Sequence, residues 1–376
     1  MSVSYIPEKI KTRLWGKAAG RCQYEGCNEP LWYDSTTKIE FNSSYIAHIV
    51  ADSPNGPRGD KVRSEELSQD IGNLMLMCDA HHRLIDREDI EGHPEERLVE
   101  MKKKHEEKME MLTSLTDDKQ SHVILYGANI GQHSAMVSIQ KAIDAMLPEK
   151  YPAERVGIEL RLGNSQFKDD ETLYWAIERE NLKRQFNNDV RSRLKTGINH
   201  MSVFAFAPMP LLIEFGRLLC DIQAADVYQL HREPANWDWQ ENPKNFKFNV
   251  IPPDHFSETA ALNLSLSATI DNSRIRDILG NDISIWTITI DTPYNDFLKS
   301  REQLQLFREE FRMLMNEIKA RHGQNNTLHL FPAVPVSVAV EIGRCWMPKA
   351  DLPLKIYDQN RKTNGFTHVF DITSSE

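Results

Sequence analysis

The chain has 376 residues, 27% charged and 40% apolar, with a formal net charge of −10. That length supports two or three domains with separate cores, and the acidic balance argues against a general nucleic-acid coat. No apolar run is long enough to span a membrane, and the N-terminus MSVSYIPEKIKTRLW has no apolar h-region, so neither a membrane segment nor a signal peptide is expected.

Residues 1–92 are loop-rich and hold most of the chemistry. Cys22 and Cys27 stand in CQYEGC, and Cys78 and His81 in CDAHH. Cys-x4-Cys followed by Cys-x2-His supplies three thiolates and an imidazole, a full tetrahedral set for structural zinc. Only Cys220 and Cys345 are left over, far apart, which points to a reducing compartment without a disulfide framework. His82 shares a helical turn with His81, so it cannot face the same zinc. It is free for other chemistry, as are His48 in YIAHIVADS and Asn73 in GNLMLMC. His48, Asn73 and His82, in that order and threaded through the zinc pattern, resemble the HNH signature of a metal-dependent nuclease fold, and the phosphodiester hydrolysis this implies needs an activated water and a metal to stabilise developing charge. His48 suits a general base, because an imidazole titrates near working pH. Asn73 can orient that ring through an amide hydrogen bond. His82 can ligate a catalytic divalent ion, Mg2+ or a similar one. Asp86, four residues on and on the same helical face, is the candidate second ligand or supporting partner. His93, His105 and His133 fall outside the pattern and are expected to be solvated, as is the face Lys102–Lys104. Residues 1–121 carry 17 Lys+Arg against 23 Asp+Glu, a net of −6, so DNA binding there needs a local patch or several copies.

Residues 94–113 read as one helix. Pro94 suits its first position, Glu95 and Glu96 suit its N-terminal end, and Leu98, Met101, Met109 and Leu112 form a thin apolar stripe. TDDKQS (116–121) reads as a linker. From His122, short β-rich runs alternate with helical stretches, the texture of an α/β parallel-sheet architecture. Within it, FAFAPMPLLIEFGR (204–217) aligns without gaps on FPAVPVSVAVEIGR (331–344). Phe204, Pro208, Glu214, Gly216 and Arg217 recur as Phe331, Pro335, Glu341, Gly343 and Arg344. Duplication implies two Rossmann-like halves, about 122–255 and 256–376, side by side. Ligands of open parallel sheets bind outside the strand C-termini. The ligand-facing candidates are therefore Tyr126 and Asn129, Pro208 and Met209, His231, Arg232 and Trp237, and Val334 and Pro335.

CQYEGC…AHIV…GNLMLMCDAHHRLID resembles the zinc-containing branch of the HNH (ββα-metal) endonucleases, with His48, Asn73 and His82 as the HNH residues. That family usually carries Cys-x2-Cys before the final His, where this chain has His81 in second place. Many members place a metal-binding Asp before the first His, where this chain has Ala47. The departure raises the weight on Asp86. The second part resembles a SAVED domain, two fused CARF-like halves that sense cyclic oligonucleotides. The order is similar to that of the HNH–SAVED effectors of bacterial CBASS anti-phage systems. The resemblance implies residues 1–115 as an HNH domain with its trailing helix and 122–376 as the sensor. It implies a bacterial cytoplasmic nuclease, dimeric at rest. A cyclic dinucleotide drives it into larger homo-oligomers that degrade double-stranded DNA without sequence preference. Arg58, Lys61, Arg63, Arg83 and Arg87 are the cations such an assembly would bring onto one duplex. The competing reading is a restriction-type HNH enzyme whose C-terminal part reads DNA directly. Residues 122–376 carry 28 Lys+Arg against 32 Asp+Glu, a net of −4, which disfavours it.

Overall fold

The computed structural model describes residues 5–34, 36–130, 137–161, 167–360, 362 and 365–374. The chain divides into two units, Met1–Thr116 and Asp117–Glu376.

The first unit runs through α1 (Glu8–Ala18), β1 (Tyr45–His48), α2 (Arg63–Glu66), β2 (Leu74–Met77), α3 (Asp79–Arg83) and α4 (Glu95–Thr113). β1 and β2 pair antiparallel, with His48 opposite Leu74, and α3 follows at once, giving a ββα order. β2 is LMLM and buried at every position, because it packs on both faces against Leu14, Leu31, Ile85, Leu98 and Met101. α3 widens into a π-turn at Leu84–Glu88. Pro94 is the N-cap of α4, one place before the position expected from sequence. The stripe of α4 buries Leu98 and Met101 but leaves Leu112 exposed. Lys102 is also buried, not solvated: it pairs with Glu106, which also holds Lys17 of α1. Lys103 and Lys104 are exposed, as expected.

The second unit opens with β3 (Gln120–Gly127), α5 (Ile139–Met146), β4 (Tyr151–Pro152), β5 (Ile158–Leu160) and α6 (Thr172–Gln185). The short α7 (Arg191–Arg193), β6 (His200–Phe206), α8 (Met209–Leu219) and β7 (Ala224–Val227) complete its first half. The second half has β8 (Asn249–Ile251), β9 (Thr259–Ser265), α9 (Asn272–Leu279), β10 (Ile283–Thr289), α10 (Arg301–His322) and β11 (Leu328–Ala333). It ends with α11 (Val336–Cys345), β12 (Leu354–Asn360) and β13 (Gly365–Ile372). The stretch read as a linker holds a 3-10 turn at Asp117–Lys119 and the start of β3, where buried Ser121 meets Ser202. β8 joins the second sheet, so that half starts before residue 256.

Both sheets repeat one plan. The first is ordered β4-β3-β6-β7, with β5 also pairing β3, and all these pairs are parallel. The second has the parallel run β10-β9-β11-β12, flanked by antiparallel β8 and β13. β3, β6 and β7 thus correspond to β9, β11 and β12. The aromatic packing corresponds too. Phe204 stacks on Tyr228 at 4.3 Å and 17°, and Phe331 on Tyr357 at 4.4 Å and 16°. The duplicated helices α8 and α11 pack against each other at their glycines. A Cβ added at Gly216 would strike the Val340 carbonyl, and one added at Gly343 would strike the Ile213 carbonyl. Backbone meets backbone there, and only glycine allows it. Glu214–Arg217 and Glu341–Arg344 pair one turn apart beside each glycine, with both carboxylates buried. Gly216→Ala should therefore destabilise this unit by about 2–3 kcal/mol, as overpacked cores do, measured by denaturant unfolding.

Candidate functional site

The knuckle CQYEGC turns through left-handed Gly26 at φ 80, and a second left-handed residue, Asn28 at φ 54, follows the knuckle directly. Gln23 ties it to β2: its N–H donates to the Leu76 carbonyl at 2.9 Å, and its Oε1 accepts from the Leu76 N–H at 2.8 Å. Cys22 and Cys27 are thereby set against Cys78 at the head of α3, with His81 one turn later. The ligand atoms of Cys22, Cys27, Cys78 and His81 all lie within 4.8 Å of one another. His81 Nδ1 is 3.1 Å from Cys78 Sγ and 3.7 Å from Cys22 Sγ. A tetrahedron with metal–sulfur bonds of about 2.3 Å has edges of about 3.8 Å, so the set fits zinc. The His81 ring is aimed by stacking on Tyr24 at 4.0 Å and 7°. Burial lowers the His81 pKa, which favours the neutral, ligating form. Burial pushes the Cys22 and Cys27 thiols up, so thiolates there require a compensating cation.

His48 ends β1, buried at 7% exposure, with Nε2 2.9 Å from the Ser68 carbonyl. A carbonyl only accepts, so Nε2 carries the proton and Nδ1 of the neutral ring keeps its lone pair. The expected contact from Asn73 to this ring does not form. Asn73 instead extends the β1–β2 ladder with its side chain: Oδ1 accepts from Val50 N–H and Nδ2 donates to Val50 O, both at 2.8 Å. Nδ2 also donates to the Leu67 carbonyl at 3.2 Å. Leu67 and Ser68 are consecutive, so Asn73 steadies the peptide that orients His48. Its action on the imidazole is indirect because the amide's hydrogen-bonding groups are spent on backbone.

His82 lies on α3 with Nε2 3.5 Å from Asp86 Oδ2, and its ring stacks on Tyr45 of β1 at 5.0 Å. Burial lowers its pKa against the opposing pull of Asp86, so a neutral imidazole and a carboxylate converge there, a donor set that suits a hydrated divalent ion. Alternation puts Ala47 on the Tyr45 face of β1, and its methyl group supplies no metal ligand there.

The remaining predictions divide. His93 and His105 are buried rather than solvated: His93 bonds the Tyr24 hydroxyl and the Asp89 carbonyl, and His105 Nε2 meets Ala18 O. His133 lies outside the described residues. Three cations assigned to DNA are engaged within the fold. Arg58 is buried against backbone, Arg63 pairs with Glu95, and Arg83 with Asp79. Lys61 and Arg87 stay exposed.

In the second unit, a cleft of about 760 Å³ opens at the C-terminal ends of the strands of both halves. Of the ligand-facing candidates, Pro208, Met209, His231, Arg232, Val334 and Pro335 line it. Tyr126 and Trp237 do not: Tyr126 packs on Phe215 and Trp237 stands edge-on to Phe204, both in the core. Asn129 is absent from the lining and receives the Tyr174 hydroxyl on its carbonyl. Sequence reasoning missed Gln229, Arg274 and Asp358. Gln229 and Asp358 each follow the tyrosine of the strand after the repeat, a signal present in DVYQL and KIYDQ. Arg274 had no such signal; it lies over the Phe366 ring at 4.6 Å. α8 and α11 both start at the cleft behind Pro208 and Pro335, with no N-cap side-chain bond. Gln229 Oε1 accepts from the Ser337 hydroxyl at 2.8 Å. Burial lowers the His231 pKa against the opposing pull of Asp296, whose Oδ1 lies 3.8 Å from Nδ1.

Residues 182–372, just over half of the chain, match the family model of SAVED, described as "SMODS-associated and fused to various effectors sensor domain". No curated protein matches. Among solved structures, the chain is similar to the Acinetobacter baumannii Cap4 SAVED/CARF-domain containing receptor with the cyclic trinucleotide 2'3'3'-cAAA. Identity is 11% and the TM-score 0.44, covering 83% of this chain and 66% of that one. The same receptor in a second structure gives 11%, 0.41, 82% and 65%. The Moraxella osloensis Cap4 receptor gives 10%, 0.38, 74% and 59%. The chain thus spans 66% or less of these proteins. Among the described residues no helix is long and apolar enough to cross a membrane.

Proposed function

The chain belongs to the SAVED family of sensor domains, and from that premise we propose that it is a metal-dependent DNA endonuclease gated by a cyclic oligonucleotide in anti-phage defence. The observation that carries the nuclease half is the orientation of His48. Its Nε2–H is committed to a carbonyl, which leaves Nδ1 to take a proton from an attacking water. His82 and Asp86 would hold the divalent ion, which when bound stabilises charge on the phosphate and the departing oxygen. Cys22, Cys27, Cys78 and His81 would hold zinc, in a structural role.

The cleft supports the gate. Its volume falls in the range of small-ligand sites, about 300–1,000 Å³. Arg232 and Arg274 supply charged donors, and two helix N-termini suit phosphates. The finer proposal is a cyclic dinucleotide, whose binding assembles several copies. Assembly matters because a unit with few unengaged cations gains DNA affinity steeply as copies pool them.

The test is plasmid cleavage in Mg2+, with and without a panel of cyclic di- and trinucleotides. Cutting should appear only with one nucleotide, together with a larger species on gel filtration. Arg274→Ala should then raise the half-activating concentration about tenfold, the loss of one charge-assisted contact. Nucleotide-independent cutting at defined sites would favour the restriction-type reading instead.

A further inference from the structure

We infer that Arg58 is a positioning residue that holds both sides of the nuclease site in one frame, an inference that rests on the nuclease reading above. Its side chain is 8% exposed. Its guanidinium donates to the Ile49 carbonyl at 2.6 Å, the Ile85 carbonyl at 2.8 Å, the His93 carbonyl at 3.4 Å and Asp86 Oδ1 at 2.8 Å. Ile49 directly follows His48. Ile85 and Asp86 lie in the π-turn that continues the helix of His82. One planar fork therefore links the residue next to the general base to the turn that bears Asp86 and continues the helix of His82.

Two further features fit a positioning role. Arg58 has φ 57, a left-handed conformation that arginine seldom adopts and that its surroundings must enforce. The π-turn, a geometry frequent at functional sites, places the Ile85 carbonyl within reach of the guanidinium. The effect on Asp86 is direct. With Oδ1 held by Arg58, Oδ2 faces His82 Nε2 at 3.5 Å. Without the clamp the carboxylate is free to turn away. Lysine cannot substitute, because a single ammonium does not reproduce the fork.

The test uses Mn2+ as the probe, titrated by electron paramagnetic resonance into the full chain. Wild type is compared with Arg58→Lys, Arg58→Met, Asp86→Asn and the double variant Arg58→Met/Asp86→Asn. Bound zinc and circular dichroism report folding. Both Arg58 variants should bind Mn2+ about 10–100-fold more weakly, as when the partners of metal ligands are removed. The double variant should be no weaker than the worse single one, because the two residues act as a unit. Unchanged Mn2+ affinity in Arg58→Met, or losses that simply add, would overturn the inference. So would loss of zinc in both Arg58 variants, which would make Arg58 a folding residue only. In plasmid cleavage the same variants should lose kcat with KM unchanged. If wild type binds Mn2+ yet never cuts DNA, the nuclease reading falls, and the Mn2+ series alone decides on Arg58.

Discussion

His48→Ala should lower the rate of nucleotide-activated DNA cleavage by about 10²–10⁴-fold, the usual contribution of a positioned general base. The loss should fall on kcat, because the ring is placed to move a proton rather than to grip DNA. Zinc content and nucleotide binding should stay at wild-type values. His48 contributes one side-chain bond, to Ser68 O, and the strand pairing beneath it runs through backbone. Asn73→Ala is the informative companion. It removes two bonds to Val50 and one to Leu67, so it should lower both stability and rate. A His48→Ala protein that cuts DNA at the wild-type rate would sink the assignment of the base.

The second large effect concerns the Cys3His set. Cys78→Ser, or stripping the metal with a strong chelator, should unfold residues 5–116 while the sensor unit stays folded. Binding at structural zinc sites is worth about 10–16 kcal/mol in zinc-finger peptides. A whole domain is typically stable by about 5–15 kcal/mol. The first unit has a small core around Leu14, Leu31, Leu76 and Leu98, and Cys22 itself is part of it. Losing the metal therefore removes a term as large as the total. The second unit has its own clusters, around Trp286, Phe307 and Phe311 and around Phe204 and Tyr228. Calorimetry should show two transitions in the zinc-loaded chain and one after chelation. Two transitions at unchanged temperatures in metal-free protein would show that the cluster bears no structural load.

What could be read from sequence followed from local spacing. Cys-x4-Cys and Cys-x2-His converge because each pair spans a single turn, and turns are local. The gapless repeat was legible because identical backbone demands, above all at Gly216 and Gly343, call for identical residues. The failures come from facing. Tyr126 lies at the end of β3 and Trp237 in the loop that follows β7, and sequence does not say which side chains there face a cleft and which a core. His93 and His105 look polar but find tyrosine and carbonyl partners from distant segments. Arg58 looked like a surface cation because nothing local signals that four acceptors from three segments surround it. Asn73 reads from sequence as a partner of the imidazole, but its amide is taken up by the backbone of Val50 and Leu67.

The cleft has matching walls and unmatched furnishings. Its backbone follows the near two-fold relation of the halves, with Pro208 answering Pro335 and Tyr228 answering Tyr357. Yet Met209 stands across from Val336, Gln229 from Asp358 and Leu230 from Gln359. A guest with two different ends would fit such a cleft equally well in either orientation only if these pairs were the same. Here an amide, held by Ser337 and by the Leu230 carbonyl, answers a carboxylate. The two halves of the cleft therefore present different chemistry on a shared backbone plan, and a guest with unlike ends would be expected to settle in one orientation.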